Sequence, residues 1–80
     1  MSVHVRLTGR LSDLVPRGEG EADLDIAGDT LADLVDAIGL EGEEHLLTAV
    51  NGTMVPADER AGRLLADGDR VTMMPPVKGG

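Results

Sequence analysis

The C-terminal end of the chain carries the residues best suited to chemistry. Residues 73–80 read MMPPVKGG, so the terminal carboxylate belongs to Gly80 and follows a second glycine, Gly79. Two residues without side chains form a thread whose backbone can approach a bound ligand closely. Pro75 and Pro76 favour an extended backbone before this thread, which reduces the entropy lost when the tail enters a partner. The pattern indicates a reactive C-terminus that the rest of the chain presents.

No other group of residues has the spacing of a catalytic or metal site. The two histidines, His4 and His45, are too few and too far apart for a metal site, and we expect His4 on the polar face of a strand. Turn formation explains Asp67 and Asp69, which flank Gly68, better than acid–base catalysis does. The chain contains no cysteine, which excludes disulfides, cysteine metal ligands and side-chain thiol chemistry.

Length and charge narrow the class of protein further. Eighty residues make one domain and leave no room for a lined active-site cleft beside a core. The net charge of −8 argues against a nucleic-acid partner, because no basic stripe is available to neutralise phosphates. No apolar run approaches the roughly 20 residues that span a bilayer, so we expect a cytoplasmic protein with no membrane partner.

The first half of the chain predicts two strands and a helix. Apolar residues at positions 3, 5 and 7, and again at 22, 24 and 26, alternate with polar ones as in half-buried strands. Thr30 and Asp33 have the spacing of a helix capping box. The apolar residues that follow have helical spacing: Leu31, Leu34, Val35 and Ile38. Gly39 is placed to end this helix.

The second half predicts a hairpin and a crossing segment. Asn51 and Gly52 are the preferred pair for a tight turn between two antiparallel strands. We expect residues 57–66 to cross irregularly, with a helical turn around Leu64 and Leu65.

A last short strand over residues 70–74 completes the predicted fold. The prolines that follow must end its pairing, because proline cannot donate a hydrogen bond to a ladder. The order β-β-α-β-β-β gives an α+β domain, in which one main helix packs across one face of a mixed sheet of about five strands. We therefore expect one domain over residues 1–74 and a flexible, protruding C-terminal tail over residues 75–80.

This layout and the C-terminal sequence resemble a known family. The element order is that of the ubiquitin-like β-grasp fold, and the stretch AVNGTMV…LADGDRVTMMPPVKGG is similar to the C-terminal half of the MoaD/ThiS family of sulfur carrier proteins. The shared features are a valine–asparagine hairpin, a DGD turn, an apolar strand and a terminal Gly-Gly. The PPVxGG ending resembles in particular the small subunit of molybdopterin synthase, whereas thiamine-pathway carriers typically lack the double proline.

The resemblance implies a function for the terminal carboxylate. An E1-like enzyme would adenylate Gly80 with ATP, and the adenylate would be converted to a thiocarboxylate that donates sulfur. The leading candidate for the pathway that receives this sulfur is molybdopterin (molybdenum cofactor) biosynthesis. The implied partners are that adenylating enzyme, a persulfide sulfurtransferase as sulfur donor, and a large catalytic subunit or downstream biosynthetic enzyme. The chain itself would be a non-catalytic carrier that binds no cofactor. Adenylation suits this role because it turns a carboxylate oxygen into a leaving group.

Other functions remain open at this point. The sulfur could serve thiamine, cysteine, a modified tRNA base or a secondary metabolite. A ubiquitin-like modifier would instead end in an isopeptide bond to a target lysine, and a plain interaction domain would have an idle tail. The single lysine of the chain, Lys78, stands where family tails commonly have a small residue. It either pairs with an acidic residue or an ATP phosphate in the partner, or is tolerated as an exposed side chain.

We expect a partner-binding surface where the tail leaves the domain. Alternation in the last strand places Val71 and Met73 on one face and Thr72 and Met74 on the other, and we predict that Met74 is exposed. Methionine suits a surface that must fit several partners, because its unbranched side chain repacks readily. The predicted partner-binding residues follow one another along the chain: Met74, Pro75, Pro76, Val77 and Lys78.

Overall fold

A computed structural model describes residues 1–9, 11, 20–40 and 46–75 of the chain. Within these ranges the elements occur in the predicted order: β1 (Ser2–Leu7), β2 (Glu21–Asp25), α1 (Leu31–Ile38), β3 (Leu47–Val50), β4 (Thr53–Val55) and β5 (Arg70–Met74). The predicted β-β-α-β-β-β fold is confirmed. No helix in the described part of the chain is long and apolar enough to cross a membrane.

The five strands form one mixed sheet in the order β2-β1-β5-β3-β4. The central strand β5 runs parallel to β1, and the other neighbours pair antiparallel. Because β5 is hydrogen-bonded on both sides, the strand that leads into the tail is held between two neighbours along its length. The start of the tail is therefore attached to the centre of the sheet.

The core lies between α1 and one face of the sheet, here called the inner face. Leu31 and Leu34 of the helix are fully buried against this face. The strands contribute aliphatic side chains from every second position: Val3, Val5, Leu7, Val50, Val55, Val71 and Met73. This core contains no aromatic residue because the chain has none, so its packing depends on close contact among branched aliphatics.

The N-terminus of α1 carries the capping box that the sequence predicts. The backbone N–H of Asp33 donates to the Thr30 hydroxyl oxygen at 3.1 Å, and the Thr30 N–H donates to the Asp33 carboxylate at 3.1 Å. The same carboxylate accepts from the N–H of Asp29 at 3.1 Å. At the other end Gly39 adopts the left-handed conformation (φ 89°) that closes the helix.

These hydrogen bonds predict how stability depends on pH. The backbone N–H of Thr30, followed by the Thr30 side chain and the N–H of Asp29, lowers the pKa of Asp33 below its ordinary value of 3.8. The folded protein favours the ionised form of this carboxylate more than the unfolded chain does. The contribution of Asp33 to stability is therefore complete above the unfolded-state pKa and is lost as pH falls through the folded-state pKa.

We therefore expect Asp33→Asn to reduce the loss of stability on acidification. Urea unfolding at neutral pH and at about pH 3 measures the change in midpoint for each protein. The wild type should lose more stability than the variant between the two conditions. An equal loss in both proteins would contradict a role for the Asp33 carboxylate.

The crossing segment differs from the prediction. The helical turn is a 3-10 helix over Ala57–Gly62, and it does not lie around Leu64 and Leu65. Pro56 directly precedes this helix, and its carbonyl accepts the first turn's hydrogen bond from the N–H of Glu59 at 3.0 Å. Leu64 instead forms an isolated antiparallel bridge with Thr30, so the residues after the turn are held extended beside the start of α1.

The DGD sequence forms a turn, as predicted, and it also ties distant strands together. One carboxylate oxygen of Asp69 accepts from the N–H of Ala66 at 2.8 Å, and the other accepts from the Asn51 side chain at 3.0 Å. The Asp67 carboxylate accepts from the N–H of Ser2 at 2.8 Å. These bonds fix the start of β5, at the end of the sheet opposite to the tail.

Candidate functional site

The candidate site begins where β5 ends. Met74 is the last residue of this strand, and Pro75 is the last residue that the structure describes at this end. The other predicted site residues lie outside the described residues: Pro76, Val77, Lys78, Gly79 and Gly80. Their roles, and the boundary between domain and tail, stay predictions.

The loop after β1 packs against the first proline of the tail. A Cβ atom placed on Gly9 would lie 3.0 Å from Cγ of Pro75, which is closer than such atoms normally approach. Gly9 also has a φ of 58°, a conformation that disfavours residues with side chains. One residue earlier, the N–H of Thr8 donates to the carbonyl of Met73 at 3.1 Å. Contacts with residues 8 and 9 thus hold the end of β5 and Pro75 in place.

The two methionines of β5 lie on opposite faces of the sheet. Met73 is 0% exposed on the inner face, whereas Met74 lies on the opposite, outer face. Met74 is half-buried, so the prediction is right about its face and too simple about its exposure. Leu47 on β3 is paired in register with Met74, and this neighbour accounts for part of the burial of the Met74 side chain.

Met74 is part of a larger apolar surface. Leu47 is 37% exposed and Met54 on β4 is 53% exposed, while Ala49 lies between them on the same face. We call these residues the outer-face patch: Leu47, Ala49, Met54 and Met74. Leu47 and Met54 are the exposed large side chains of this patch, Met74 is half-buried and Ala49 is buried. Neighbouring exposed apolar side chains at one edge of a small domain favour a protein–protein contact there.

The rest of the outer face is charged and changes sign across the sheet. The outward residues of the edge strand β2 are acidic: Glu21, Asp23 and Asp25. His4 and Arg6 on β1 come next, and Arg6 lies beside Thr72 of β5. A partner covering the whole face would therefore meet carboxylates at one edge, the Arg6 guanidinium and the His4 imidazole nearer the middle, and the outer-face patch at the other edge.

His4 lies on the polar face of β1, as predicted, and it contacts two carboxylates. Its Nδ1 atom is 2.9 Å from an oxygen of Asp23, and its Nε2 atom is 3.5 Å from an oxygen of Glu21. The two ring nitrogens point to different carboxylates, so these groups do not converge on a single ion. Over the described residues, no cluster of histidine and acidic side chains is arranged to hold a metal.

Sequence reasoning missed three members of the outer-face patch and one buried cation. Alternation in β3 places Leu47 and Ala49 on one face, but nothing local shows that β3 lies beside β5. Arg60 is buried, and its guanidinium donates to the Thr48 hydroxyl (3.2 Å) and to the Leu46 carbonyl. Burial lowers the pKa of Arg60. No signal in the polar segment around Arg60 predicts that this side chain is buried.

The sheet order, the single main helix across one face and the position of the last strand at the centre of the sheet define a ubiquitin-like β-grasp domain. Residues 5–80 match the ThiS family, and the chain belongs to this family of ubiquitin-like sulfur carriers and modifiers. No curated protein sequence matches the chain.

Solved structures of related proteins share the fold over nearly the whole chain. SAMP1 from Haloferax volcanii is 25% identical, with both chains covered completely and a TM-score of 0.72. A putative molybdopterin converting factor subunit 1 from Pyrococcus furiosus is 28% identical, covering 96% of this chain and 99% of its own, with a TM-score of 0.70. A structure of the complex of subunits 1 and 2 of the molybdopterin-converting factor from Helicobacter pylori shares the fold, at 24% identity, complete coverage of both chains and a TM-score of 0.65.

Proposed function

We propose that this chain is a sulfur carrier whose reactive group is the carboxylate of Gly80. The observation that carries the proposal is the family match, which extends through the terminal Gly-Gly to residue 80. The central position of β5 supports it, because the residues that precede the predicted tail are then firmly paired on both sides. The chain would act as a non-catalytic carrier, and partner enzymes would supply the catalysis.

The proposed chemistry has two stages, activation of the Gly80 carboxylate and then transfer of sulfur to it. An E1-like enzyme joins a Gly80 carboxylate oxygen to the α-phosphorus of ATP, and pyrophosphate leaves. A persulfide on the sulfur donor then attacks the carbonyl carbon, so that a C–S bond forms and AMP leaves. A second thiol of the donor reduces the resulting acyl disulfide and releases the thiocarboxylate. No side chain of the carrier takes part, which fits a chain without cysteine.

We propose molybdopterin biosynthesis as the destination of the sulfur. The PPVKGG ending supports this, as does the 28% identity with the protein from Pyrococcus furiosus described as a putative molybdopterin converting factor subunit 1. The partner would be a large catalytic subunit that receives the tail in its active site and binds the outer-face patch.

A second candidate function is that of a protein modifier. The likeness to SAMP1, whose relative from Methanosarcina acetivorans is described as small archaeal modifier protein 1, favours it. In this case the Gly80 adenylate would react with a lysine amine of a target protein. Both functions share the activation of Gly80 and differ in the nucleophile that follows.

The thiocarboxylate itself provides the first test. We expect incubation with a family adenylating enzyme, ATP and a persulfide donor to replace one oxygen of the chain by sulfur. Intact-mass spectrometry should show this change, and fragmentation should place it in the C-terminal peptide. Modification at another position, or none with several family activating enzymes, would contradict the carrier proposal.

Docking through the outer-face patch provides a second test. We expect Met74→Asp to weaken binding to the adenylating enzyme or the large subunit by about tenfold or more, because a charge would have to be desolvated in the contact. Met54→Asp should act in the same direction, and its higher exposure makes loss of folding less of a concern.

Leu64→Asp is the matched control for both variants. Leu64 is an exposed leucine outside the patch, so the same kind of charge there should leave affinity unchanged. Titration calorimetry measures the affinities, and circular dichroism checks that each variant is folded. Normal binding by folded Met54→Asp and Met74→Asp would show that partners dock elsewhere.

A further inference from the structure

Before the predicted tail, arginine takes the place of lysine throughout the sequence. Of the seven basic residues, Lys78 in the tail is the single lysine, and the other six are arginines: Arg6, Arg10, Arg17, Arg60, Arg63 and Arg70. An activated carboxyl group reacts with primary amines and thiols. Arginine stays protonated in proteins and offers neither, whereas lysine can lose its proton and act as a nucleophile. The chain contains no cysteine either.

One of these arginines is explained by the fold, and a second makes a single bond to a neighbouring carbonyl. The guanidinium of Arg60 donates to two different acceptors from one planar group, and Arg63 donates to the carbonyl of Leu64. Lysine, with its single nitrogen, could not reproduce the geometry at Arg60. Structural need therefore accounts for Arg60, but it does not account for the exposed arginines on the outer face.

Arg6 and Arg70 are exposed on the outer face, at different distances from the start of the predicted tail. Arg6 is paired in register with Thr72, and Arg70 opens the strand that Met74 ends. At about 3.3 Å per residue, these positions lie roughly 10 and 17 Å from Pro75. The five residues beyond Pro75 can extend to at most about 18 Å. An amine at either position would thus be within reach of the chain's own activated C-terminus.

The amino group of Met1 is the other primary amine in the sequence, and it lies at the far end of the sheet. Since β1 and β5 run parallel with Leu7 beside Met73, Met1 is about 26 Å from Pro75, beyond the tail's reach of about 18 Å. The amino group also forms an ion pair with Asp25 at 3.0 Å. Self-acylation at Met1 within one molecule is therefore excluded by distance.

We propose that, within one molecule, the folded domain is inert toward its own activated C-terminus and Lys78 is the only acceptor. This inference rests on the proposed activation of Gly80. In the reaction considered, an amine nitrogen attacks the carbonyl carbon of the Gly80 adenylate, an amide bond forms, AMP leaves with its electron pair and the amine proton passes to solvent. Because the folded domain offers no acceptor for this reaction, the activated C-terminus stays available for sulfur or for an amine of another protein.

The test uses the full chain with a family adenylating enzyme and ATP, without a sulfur donor. Pyrophosphate release measures activation, and intact-mass spectrometry detects amides formed within a molecule, by loss of water, or between two molecules. We expect every amide formed within a wild-type molecule to map to Lys78, and Lys78→Arg to form none of this kind while it still releases pyrophosphate.

The decisive second measurement uses the double variant Arg6→Lys with Lys78→Arg. It keeps the charge and restores one amine near the tail, so we expect amide formation to return and to map to residue 6. An amide formed within one molecule at Met1 or another domain residue in Lys78→Arg would overturn the inference. So would an activated double variant that forms no amide. Absence of pyrophosphate release from the wild type would instead contradict the proposed function, and the inference would fall with it.

Discussion

Deletion of Gly79 and Gly80 is expected to abolish activation of the C-terminus and to leave the domain folded. The deletion moves the terminal carboxylate to Lys78, whose side chain widens the part of the tail that must enter the adenylation site. Only a residue without a side chain lets the backbone approach a ligand as closely as adenylation requires. We therefore expect ATP-dependent pyrophosphate release and thiocarboxylate formation to fall to background.

The same deletion should have little effect on stability. Strand β5 ends at Met74, and in the described part of the chain the buried core extends no further than Met73. Truncation beyond the core should therefore change the free energy of unfolding by less than about 1 kcal/mol. Thermal or urea unfolding measures this change on the same samples.

Lys78→Ala is the matched control for this deletion. It changes the tail two residues from its end but keeps the Gly-Gly terminus, so activation should persist. A large loss of stability on deletion would show that the tail packs against the domain. Retained activation after deletion would show that Gly80 is not the reactive residue.

Most of the fold could be predicted because its elements have strong local signals. The capping box and the glycine after it mark both ends of α1, and the Asn51–Gly52 pair specifies the hairpin turn, with φ values of 51° and 85°. The crossing segment was misplaced because the apolar pair Leu64 and Leu65 suggested a helical turn. Their positions are in fact set by backbone bonds to residues 29–31, which are distant in the sequence.

The candidate site could be predicted only in part, for a related reason. Alternation along β5 is local, and it correctly separates Met73 from Met74. The outer-face patch depends on β3 lying between β5 and β4, a pairing that brings together residues more than 20 positions apart. The contact between Gly9 and Pro75 is equally non-local. Strand neighbours, which decide both features, are not specified by the sequence of either strand alone.

Leu34→Ala is expected to have the largest effect on stability. Leu34 is 0% exposed at the centre of the apolar face of α1, where it packs against the inner face of the sheet. Shortening it to alanine removes buried apolar contacts and leaves a cavity, which typically costs about 2–5 kcal/mol. In a domain of this size such a loss lowers the melting temperature by about 10 °C or more.

Leu64→Ala is the control for this substitution, because it makes the same chemical change at a leucine that is 62% exposed. Its free energy of unfolding should stay within about 0.5 kcal/mol of the wild-type value. Urea unfolding monitored by far-UV circular dichroism measures both variants, since the chain lacks the aromatic residues needed for intrinsic fluorescence. Equal effects of the two substitutions would show that α1 does not cover the inner face. At temperatures where Leu34→Ala remains folded, activation of Gly80 should still occur, because the helix lies on the opposite face of the sheet from the outer-face patch and contributes no reacting group.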